Sequence, residues 1–155
     1  MGNAEGGDLT ATRNTVQQRI IGEQLRALGN HPTVEEVYAA VREVRPSVSK
    51  ATVYRVLQKM ADTGDALRVP VAGGAEHFDH RADPHSHVVC MVCGHVDDIE
   101  ASCLEGIDWN AVQSATGYVI AQQEMQFNGI CPACAARAQE EGNPAATGKP
   151  SDNEG

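Results

Sequence analysis

Two pairs of cysteines constrain the folding of this chain more than any other feature. Residues 90–93 read Cys-Met-Val-Cys, and residues 131–134 read Cys-Pro-Ala-Cys. With two residues between its thiols, each pair can aim both sulfurs at one point from a single turn. Four thiolates make a closed tetrahedral zinc site, with Zn–S distances of about 2.3 Å. The sequence therefore predicts a structural zinc ion that joins the two ends of a small domain, with the ligands Cys90, Cys93, Cys131 and Cys134.

Redox pairs, disulfides and a zinc enzyme are the alternatives to this site. A thioredoxin-type dithiol lies between a strand and a long helix of a βαβ unit, and no such pattern surrounds the second pair. A reducing cytosol favours metal over disulfides. A catalytic zinc needs an open coordination position, which four thiolates do not leave. The fifth cysteine, Cys103, has no partner at this spacing, and we interpret it as structural or incidental.

The formal net charge of −9 is divided unevenly along the 155 residues. Residues 1–72 hold nine Lys or Arg and eight Asp or Glu, whereas residues 73–155 hold three and thirteen. This division indicates two modules, of which only the first suits a polyanion. The chain shows no apolar run of transmembrane length and no signal-peptide pattern. We therefore expect a cytoplasmic protein without a membrane partner.

The first module has the element order of a winged helix-turn-helix. Helical periodicity predicts helices over residues 13–28, from Thr33 to Pro46, and over residues 50–63. Thr33 and Glu36 form a capping-box pattern at the start of the second helix. Two short strands follow, over residues 66–71 and 76–79. We expect a winged-helix DNA-binding domain over residues 9–80, preceded by a disordered stretch at residues 1–8.

The third predicted helix directs hydroxyl and basic side chains outward. Hydroxyls and an ammonium group at a helix N-terminus can hold phosphates, and an arginine can bind a guanine edge with two hydrogen bonds. This pattern predicts contacts with double-stranded DNA, and a solvated amphipathic helix is the alternative. The candidate DNA contacts, together with Arg13 in the first helix, are Ser49, Lys50, Thr52, Tyr54 and Arg55.

A second set of potential metal ligands begins at His85-Ser86-His87. Alternate residues of a strand point to the same face, so both imidazoles can reach one metal. Further candidates are His31 before the second helix, Asp79 at the end of the wing and Asp98 on a later strand. Nitrogen and oxygen ligands suit Fe(II), Mn(II) or zinc. Spacing alone does not assemble these five residues into one site.

The second module alternates strands and helices. The patterns predict strands over residues 86–92 and 95–100, a helix over 104–116, a strand over 117–127 and a terminal helix over 133–141. We expect this domain to cover residues 85–141 and a disordered tail to cover residues 142–155.

From about Arg13 to Cys134 the chain resembles the ferric uptake regulator family of metal-sensing bacterial repressors. The resemblance implies an α+β fold, with an N-terminal winged helix-turn-helix domain and a small α/β dimerisation domain that carries the four-cysteine zinc site. It also implies a homodimer whose metal-loaded form binds a palindromic operator and represses transcription. The motifs that carry it are His31-Pro32-Thr33, Ser49-Lys50-Ala51-Thr52-Val53-Tyr54-Arg55-Val56-Leu57, His77-Phe78-Asp79, His85-Ser86-His87, Cys90 to Gly94 and Gly129-Ile130-Cys131-Pro132-Ala133-Cys134.

The resemblance also assigns roles to the two ligand sets. The four paired cysteines match the family's structural zinc ligands. The residues that match the regulatory iron or manganese ligands are His31, Asp79, His85, His87 and Asp98. Many members hold a further metal through a histidine in the last strand, and Gln122 and Gln123 occupy that neighbourhood here.

The branch of the family is signalled by a few positions. Asp79 stands where iron-uptake members often have Glu, which resembles the peroxide-sensing branch; there, oxidation falls on ligands that match His31 and His85. Tyr54-Arg55 instead resembles the iron-uptake branch. No cysteine precedes Cys90, which disfavours the zinc-uptake branch. We expect a peroxide-sensing repressor, and an iron-responsive regulator is the alternative.

Overall fold

The computed structural model describes residues 7–121 and 123–140, with side chains from residue 15 onward. Residues 1–6, residue 122 and residues 141–155 lie outside the described part, and with them most of the predicted disordered start and the whole predicted tail. The helices and strands are α1 (Gly7–Leu28), α2 (Val34–Val44), α3 (Lys50–Asp62), β1 (Leu67–Val69), β2 (His77–Asp79), β3 (Ser86–Cys90), β4 (Val96–Ile99), a 3-10 helix (Ala101–Leu104), α4 (Trp109–Thr116), β5 (Gln126–Gly129) and α5 (Pro132–Glu140).

The first three helices pack on one another around an apolar core, and the β1–β2 hairpin completes the winged helix. Apolar residues at helical spacing supply this core because one stripe of each helix faces the others. The helix α1 begins at Gly7, six residues before the predicted start, and continues beyond the apolar stripe because propagation adds a hydrogen bond per residue. The buried core residues are Ile21, Leu25, Val37, Val41, Val48, Val53, Leu57, Met60, Ala66 and Phe78.

The start of α2 is fixed by the predicted capping box, which the structure confirms. The amide of Glu36 donates to the hydroxyl of Thr33 at 3.3 Å, and the amide of Thr33 donates to the carboxylate of Glu36 at 2.7 Å. That backbone hydrogen bond outweighs burial and lowers the pKa of Glu36. Phe78 donates its amide to the carbonyl of Pro32 at 3.0 Å, so the turn before α2 is also attached to the wing.

The second module is a mixed sheet in the order β4-β3-β5, with β3–β4 antiparallel and β3–β5 parallel. Val89 and Val96 of this sheet are buried against Val69 of the wing, and Val71 packs on the same cluster. The side-chain amide of Gln126 adds a hydrogen bond to the carbonyl of Pro70 at 3.1 Å. The wing therefore lies directly on the sheet, and the two modules share an apolar contact.

Two predictions about the second module are wrong in extent. Helix α4 begins at Trp109, where Asp108 caps it, and only a 3-10 turn precedes Gly106. Of the predicted strand 117–127, only the last two residues lie in a strand, at the start of β5, and the described residues 117–121 and 123–125 form none. The reason is the length of the neighbouring strand: β3 begins at Ser86 and pairs with β5 from His87 onward, so earlier residues have no strand to pair with. The predicted terminal helix is confirmed as α5.

Among the described residues, no helix combines the length and apolar character that crossing a membrane would require.

We expect Thr33→Ala to lower the free energy of unfolding by about 0.5–2 kcal/mol, because the orphan amides of α2 lose their cap. Urea denaturation of the zinc-loaded protein measures this change. Thr33→Ser is the matched control, since it keeps the hydroxyl. Equal loss in both variants would show that the methyl group of Thr33, and not the cap, stabilises this turn.

Candidate metal centres

The four paired cysteines converge at one end of the sheet. All four Sγ atoms lie within 4.8 Å of one another, with Cys93 and Cys131 3.8 Å apart. Cys90 ends β3, and a turn through Gly94, whose φ is 76°, returns the chain to β4. Parallel pairing places Gly129 of β5 beside Cys90, and this pairing delivers the second cysteine pair to the first.

The electrostatics of this cluster suit a cation. Burial alone would raise the pKa of Cys90, but backbone amides that point at its sulfur, including that of Cys131 at 3.3 Å, lower it to about 6. The backbone of His95 favours the Cys93 thiolate, yet the neighbouring cysteine sulfurs outweigh it and raise its pKa to about 11. The Cys90 thiolate therefore forms readily, whereas the Cys93 thiolate needs a nearby cation to offset the repulsion from its neighbours. All five cysteines are free of disulfides, and Cys103 lies exposed on the 3-10 helix, outside the cluster.

The three candidate histidines and two candidate aspartates converge at the junction of the modules. One ligand atom from each lies within 4.8 Å of every other. His31 and His85 direct Nε2 at Oδ1 of Asp98, at 2.8 and 2.9 Å. His85 Nε2 is also 2.8 Å from Oδ2 of Asp79, and His87 Nε2 is 3.7 Å from both carboxylates. The five residues that spacing alone leaves apart thus form one cluster.

His31 reaches this junction through an unusual backbone. Gly29, Asn30 and His31 have φ values of 55°, 47° and 51°. A left-handed conformation at a residue other than glycine costs about 1–3 kcal/mol and persists where surrounding contacts fix it. Here the ring of His77 contacts the carbonyl of His31 at 2.5 Å, and Thr33 forms a bridge with His77. These contacts turn His31 away from α2 and toward the second module.

The cluster contains buried polar atoms whose close contacts with one another lack the geometry of hydrogen bonds. Among the described side chains, these atoms are Nδ1 and Nε2 of His31, Oδ2 of Asp79 and Nε2 of His87. A buried polar group without a partner costs about 1–3 kcal/mol, so the arrangement needs a further ligand to be favourable. Burial raises the pKa of Asp79, yet contacts with His31 and His87 outweigh it and hold that pKa well below its usual range. An ionised carboxylate among imidazoles fits a divalent cation.

Arg81, which no sequence motif identified, contacts both carboxylates from outside the cluster. Its amide donates to Oδ1 of Asp79 at 2.9 Å, and its guanidinium donates to Oδ2 of Asp98 at 2.8 Å. Arg81 is the only Lys or Arg between Arg68 and Arg137. That isolated positive charge in an acidic module is the signal that would have identified it. Arg137 has a comparable place beside the cysteines, since its guanidinium donates to the sulfur of Cys134 at 3.0 Å.

The candidate DNA contacts lie on the outer side of α3. Arg13 is helical, but its side chain lies outside the described part. Lys50 forms an ion pair with Glu35, and the Arg55 guanidinium lies along its own helix, with Nη2 3.5 Å from the hydroxyl of Thr52. Ser49 caps α3 and contacts the same hydroxyl at 2.9 Å, and the Tyr54 side chain is 49% exposed. The surface is accessible, and the individual contacts remain predictions.

The described residues contain two groups of three or more potential metal ligands, namely the cysteine cluster and the histidine–aspartate cluster. Gln122 lies outside the described part, and Gln123 lies near Ser86 and Glu105.

A winged helix joined to a small mixed sheet, with an N/O ligand cluster at the junction and four thiols in the sheet, defines a metal-responsive winged-helix protein. The model of the ferric uptake regulator family matches residues 10–128. The chain belongs to this family.

Curated relatives agree with this assignment, and a solved structure shares the fold. The peroxide-responsive repressor PerR of Staphylococcus saprophyticus is 30% identical over 131 residues, which cover 81% of this chain and 88% of the relative. The ferric uptake regulation protein of Bacillus subtilis is 31% identical over 115 residues, covering 72% and 76%. The peroxide stress regulator of Campylobacter jejuni shares the fold, with a TM-score of 0.70 at 23% identity over 86% of this chain and 100% of that one.

We expect Cys93→Ser to lose zinc together with the stable fold or the dimer, because the binding energy of a closed thiolate site is also folding energy. Metal analysis and light scattering of the purified variant measure both. Cys103→Ser is the matched control and should keep one zinc ion per chain, since Cys103 lies outside the cluster. A Cys93→Ser protein that retains both zinc and the dimer mass would refute the site.

We expect Arg55→Ala to weaken operator binding by about 1–3 kcal/mol without loss of metal or dimer, because a base contact is removed. A gel-shift titration at fixed salt measures the affinity. Arg19→Ala removes the same charge from an exposed pair on α1 and serves as control. Equal affinities of Arg55→Ala and the unsubstituted protein would leave Arg55 as a solvated residue of the helix.

Proposed function

We propose that this chain is a metal-dependent transcriptional repressor that senses peroxide through Fe(II) or Mn(II) bound by the histidine–aspartate cluster. It acts in the cytoplasm as a homodimer, and the surface of α3 binds a palindromic operator in double-stranded DNA. One observation carries this proposal: the cluster takes ligands from both modules. His31 and Asp79 belong to the winged helix, whereas His87 and Asp98 lie in the sheet of the second module and His85 directly precedes β3.

Ligands from both modules allow a bound ion to select one arrangement of the winged helix relative to the sheet. A ligand shifts a conformational equilibrium by its difference in affinity for the two states. An arrangement that separates His31 and Asp79 from the other three residues loses two of five donors and binds the ion less tightly. Metal binding therefore favours the arrangement in which the cluster is complete. In a dimer, this arrangement would also set the distance between the two α3 helices, which must match the spacing of operator half-sites.

The two clusters suit different ions. Four thiolates form a closed, soft site that holds zinc structurally and leaves no open position for catalysis. Such a site supports the ends of the sheet and of α5, where a stable domain is needed for dimerisation. Imidazoles and carboxylates suit Fe(II) and Mn(II). The family is one of regulators, and the closed thiolate site gives no support to the alternative of a zinc enzyme.

Peroxide is favoured as the signal by the ligand set and by the relatives. The histidine–aspartate cluster contains no thiolate among its described members, so an oxidant that reacts there must modify an imidazole. A curated relative at 30% identity is a peroxide-responsive repressor. An iron-responsive regulator is the second candidate, because the ferric uptake regulation protein of Bacillus subtilis is 31% identical.

The operator-binding surface is supported by position and charge. The helix α3 is exposed on the side opposite its buried residues, and the first module has a small positive charge while the second is strongly acidic. Phosphates repel an acidic module, so DNA should approach the winged helix alone. The ion pair between Lys50 and Glu35 would have to open before Lys50 could contact a phosphate.

We expect hydrogen peroxide to release the iron-loaded protein from DNA while the manganese-loaded protein remains bound. Fe(II) held by the cluster would activate the peroxide, so that one of its oxygens is added to an imidazole carbon and the other leaves as water, whereas Mn(II) is harder to oxidise in such a site. DNA binding is measured anaerobically with each metal, before and after a brief exposure. Mass spectrometry should then find one added oxygen on the peptide that carries His31 or His85.

Two outcomes would contradict this sensing route. Release of DNA without the added oxygen would indicate that peroxide oxidises a cysteine instead. Zinc analysis and the Cys103→Ser variant would then show whether the oxidised residue is a zinc ligand or Cys103. Unchanged DNA binding by the iron form after peroxide would identify an iron-responsive regulator instead.

A further inference from the structure

Arg81 divides the four carboxylate oxygens of the histidine–aspartate cluster into two sets. Its amide occupies Oδ1 of Asp79, and its guanidinium occupies Oδ2 of Asp98. The other oxygens, Oδ2 of Asp79 and Oδ1 of Asp98, face the imidazoles of His31 and His85. Each carboxylate thus presents a single oxygen to the cluster.

We propose that Arg81 is a positioning residue for the metal site. It fixes which oxygen of Asp98 faces the ion and holds that carboxylate in place before the ion arrives. This inference rests on the proposed function, because it assigns Arg81 a role in the same site. Arg81 does not itself offer a ligand atom, since a guanidinium has donors only.

The place of Arg81 in the chain explains why one residue can organise both modules. It lies two residues after Asp79, at the end of the wing, and its side chain crosses to Asp98 on β4. A second hydrogen bond, to Asp83 at 3.2 Å, fixes the guanidinium from the other side. Asp98 is the more exposed of the two aspartates, with 27% of its side chain accessible compared with 2% for Asp79. The side chain of Asp98 therefore has more conformational freedom than that of Asp79, and a hydrogen bond from Arg81 restricts its orientation more.

Two effects of Arg81 on metal affinity oppose each other. Its positive charge repels a cation, whereas its hydrogen bonds orient a ligand. The repulsion is reduced because Asp83 and Asp98 both pair with the guanidinium, and because 37% of the side chain is exposed to solvent, which screens it. Loss of an outer hydrogen-bond partner of a ligand typically weakens metal binding by about 10–100-fold. We infer that orientation outweighs repulsion.

Substitutions at Arg81 distinguish ligand orientation from charge repulsion. Mn(II) alone is titrated into the zinc-loaded protein, and electron paramagnetic resonance measures the free Mn(II). Arg81→Gln removes the charge and the guanidinium hydrogen bonds to Asp98 and Asp83, and we expect its dissociation constant to rise about 10–100-fold. Arg81→Lys keeps the charge and can keep the bond to Asp98, but it loses the second bond to Asp83 that fixes the side chain, so its affinity should lie between those of Arg81→Gln and the unsubstituted protein. If repulsion dominated, Arg81→Gln would bind more tightly and Arg81→Lys would match the unsubstituted protein.

Controls distinguish positioning from a general structural role. Arg19→Ala removes an exposed arginine far from the cluster and should bind Mn(II) normally. Zinc content and thermal unfolding without manganese should be unchanged in Arg81→Lys. If Arg81→Gln does not fold, the Mn(II) affinities of Arg81→Lys and Asp83→Asn test the proposal instead. Weaker Mn(II) binding in Arg81→Lys, and a smaller decrease in Asp83→Asn, would support the positioning role. Unchanged affinity in both variants would overturn it.

The result also separates this inference from the proposed function. Unsubstituted protein that binds no Mn(II) beyond its zinc would overturn the proposed function itself. Unsubstituted protein that binds Mn(II), together with an Arg81→Gln variant of equal or higher affinity, would overturn only the role of Arg81.

Discussion

The convergence of three imidazoles on two carboxylates is the interaction on which the rest of the structure depends. It occurs at the junction of the winged helix and the sheet, with four of its five residues nearly inaccessible to water. Buried carboxylates require positive partners or a cation, and buried imidazoles require something to bind their nitrogens. Asp79 satisfies part of this need through its contacts, and the orphaned nitrogens of His31 and His87 leave the remainder to an ion. The site therefore couples ion binding to the relative placement of the modules.

The surrounding structure holds the ligands where convergence is possible. The left-handed turn at His31 would be unfavourable alone, and contacts with His77 on the wing stabilise it. An apolar cluster of Val69, Val89 and Val96 packs the wing against the same strands that carry His87 and Asp98. The four-cysteine cluster then fixes the far end of β3. Ligand geometry at the junction is thus supported from both ends of one strand.

Much of this arrangement follows from local patterns in the sequence. The capping box at Thr33, the apolar stripes of the first three helices and the order of a hairpin after them predict the winged helix. The spacing of the cysteine pairs predicts their convergence, because two intervening residues suffice for one turn. The alternation of His85 and His87 predicts a shared face of a strand. Each prediction depends on residues close together in the chain, where spacing alone fixes direction.

Only the tertiary structure decides which residues that are distant in the chain come into contact. His31 lies in the turn before α2, Asp79 ends β2 and Asp98 lies on β4, and their approach depends on how the wing packs on the sheet. The length of β5 is set by the start of β3, since a strand ends where its neighbour offers no backbone groups to pair with. The role of Arg81 depends on a side chain that crosses from one module to the other. Sequence determines local geometry because its causes are short-range, whereas packing and long-range pairing arise only when the whole chain is folded.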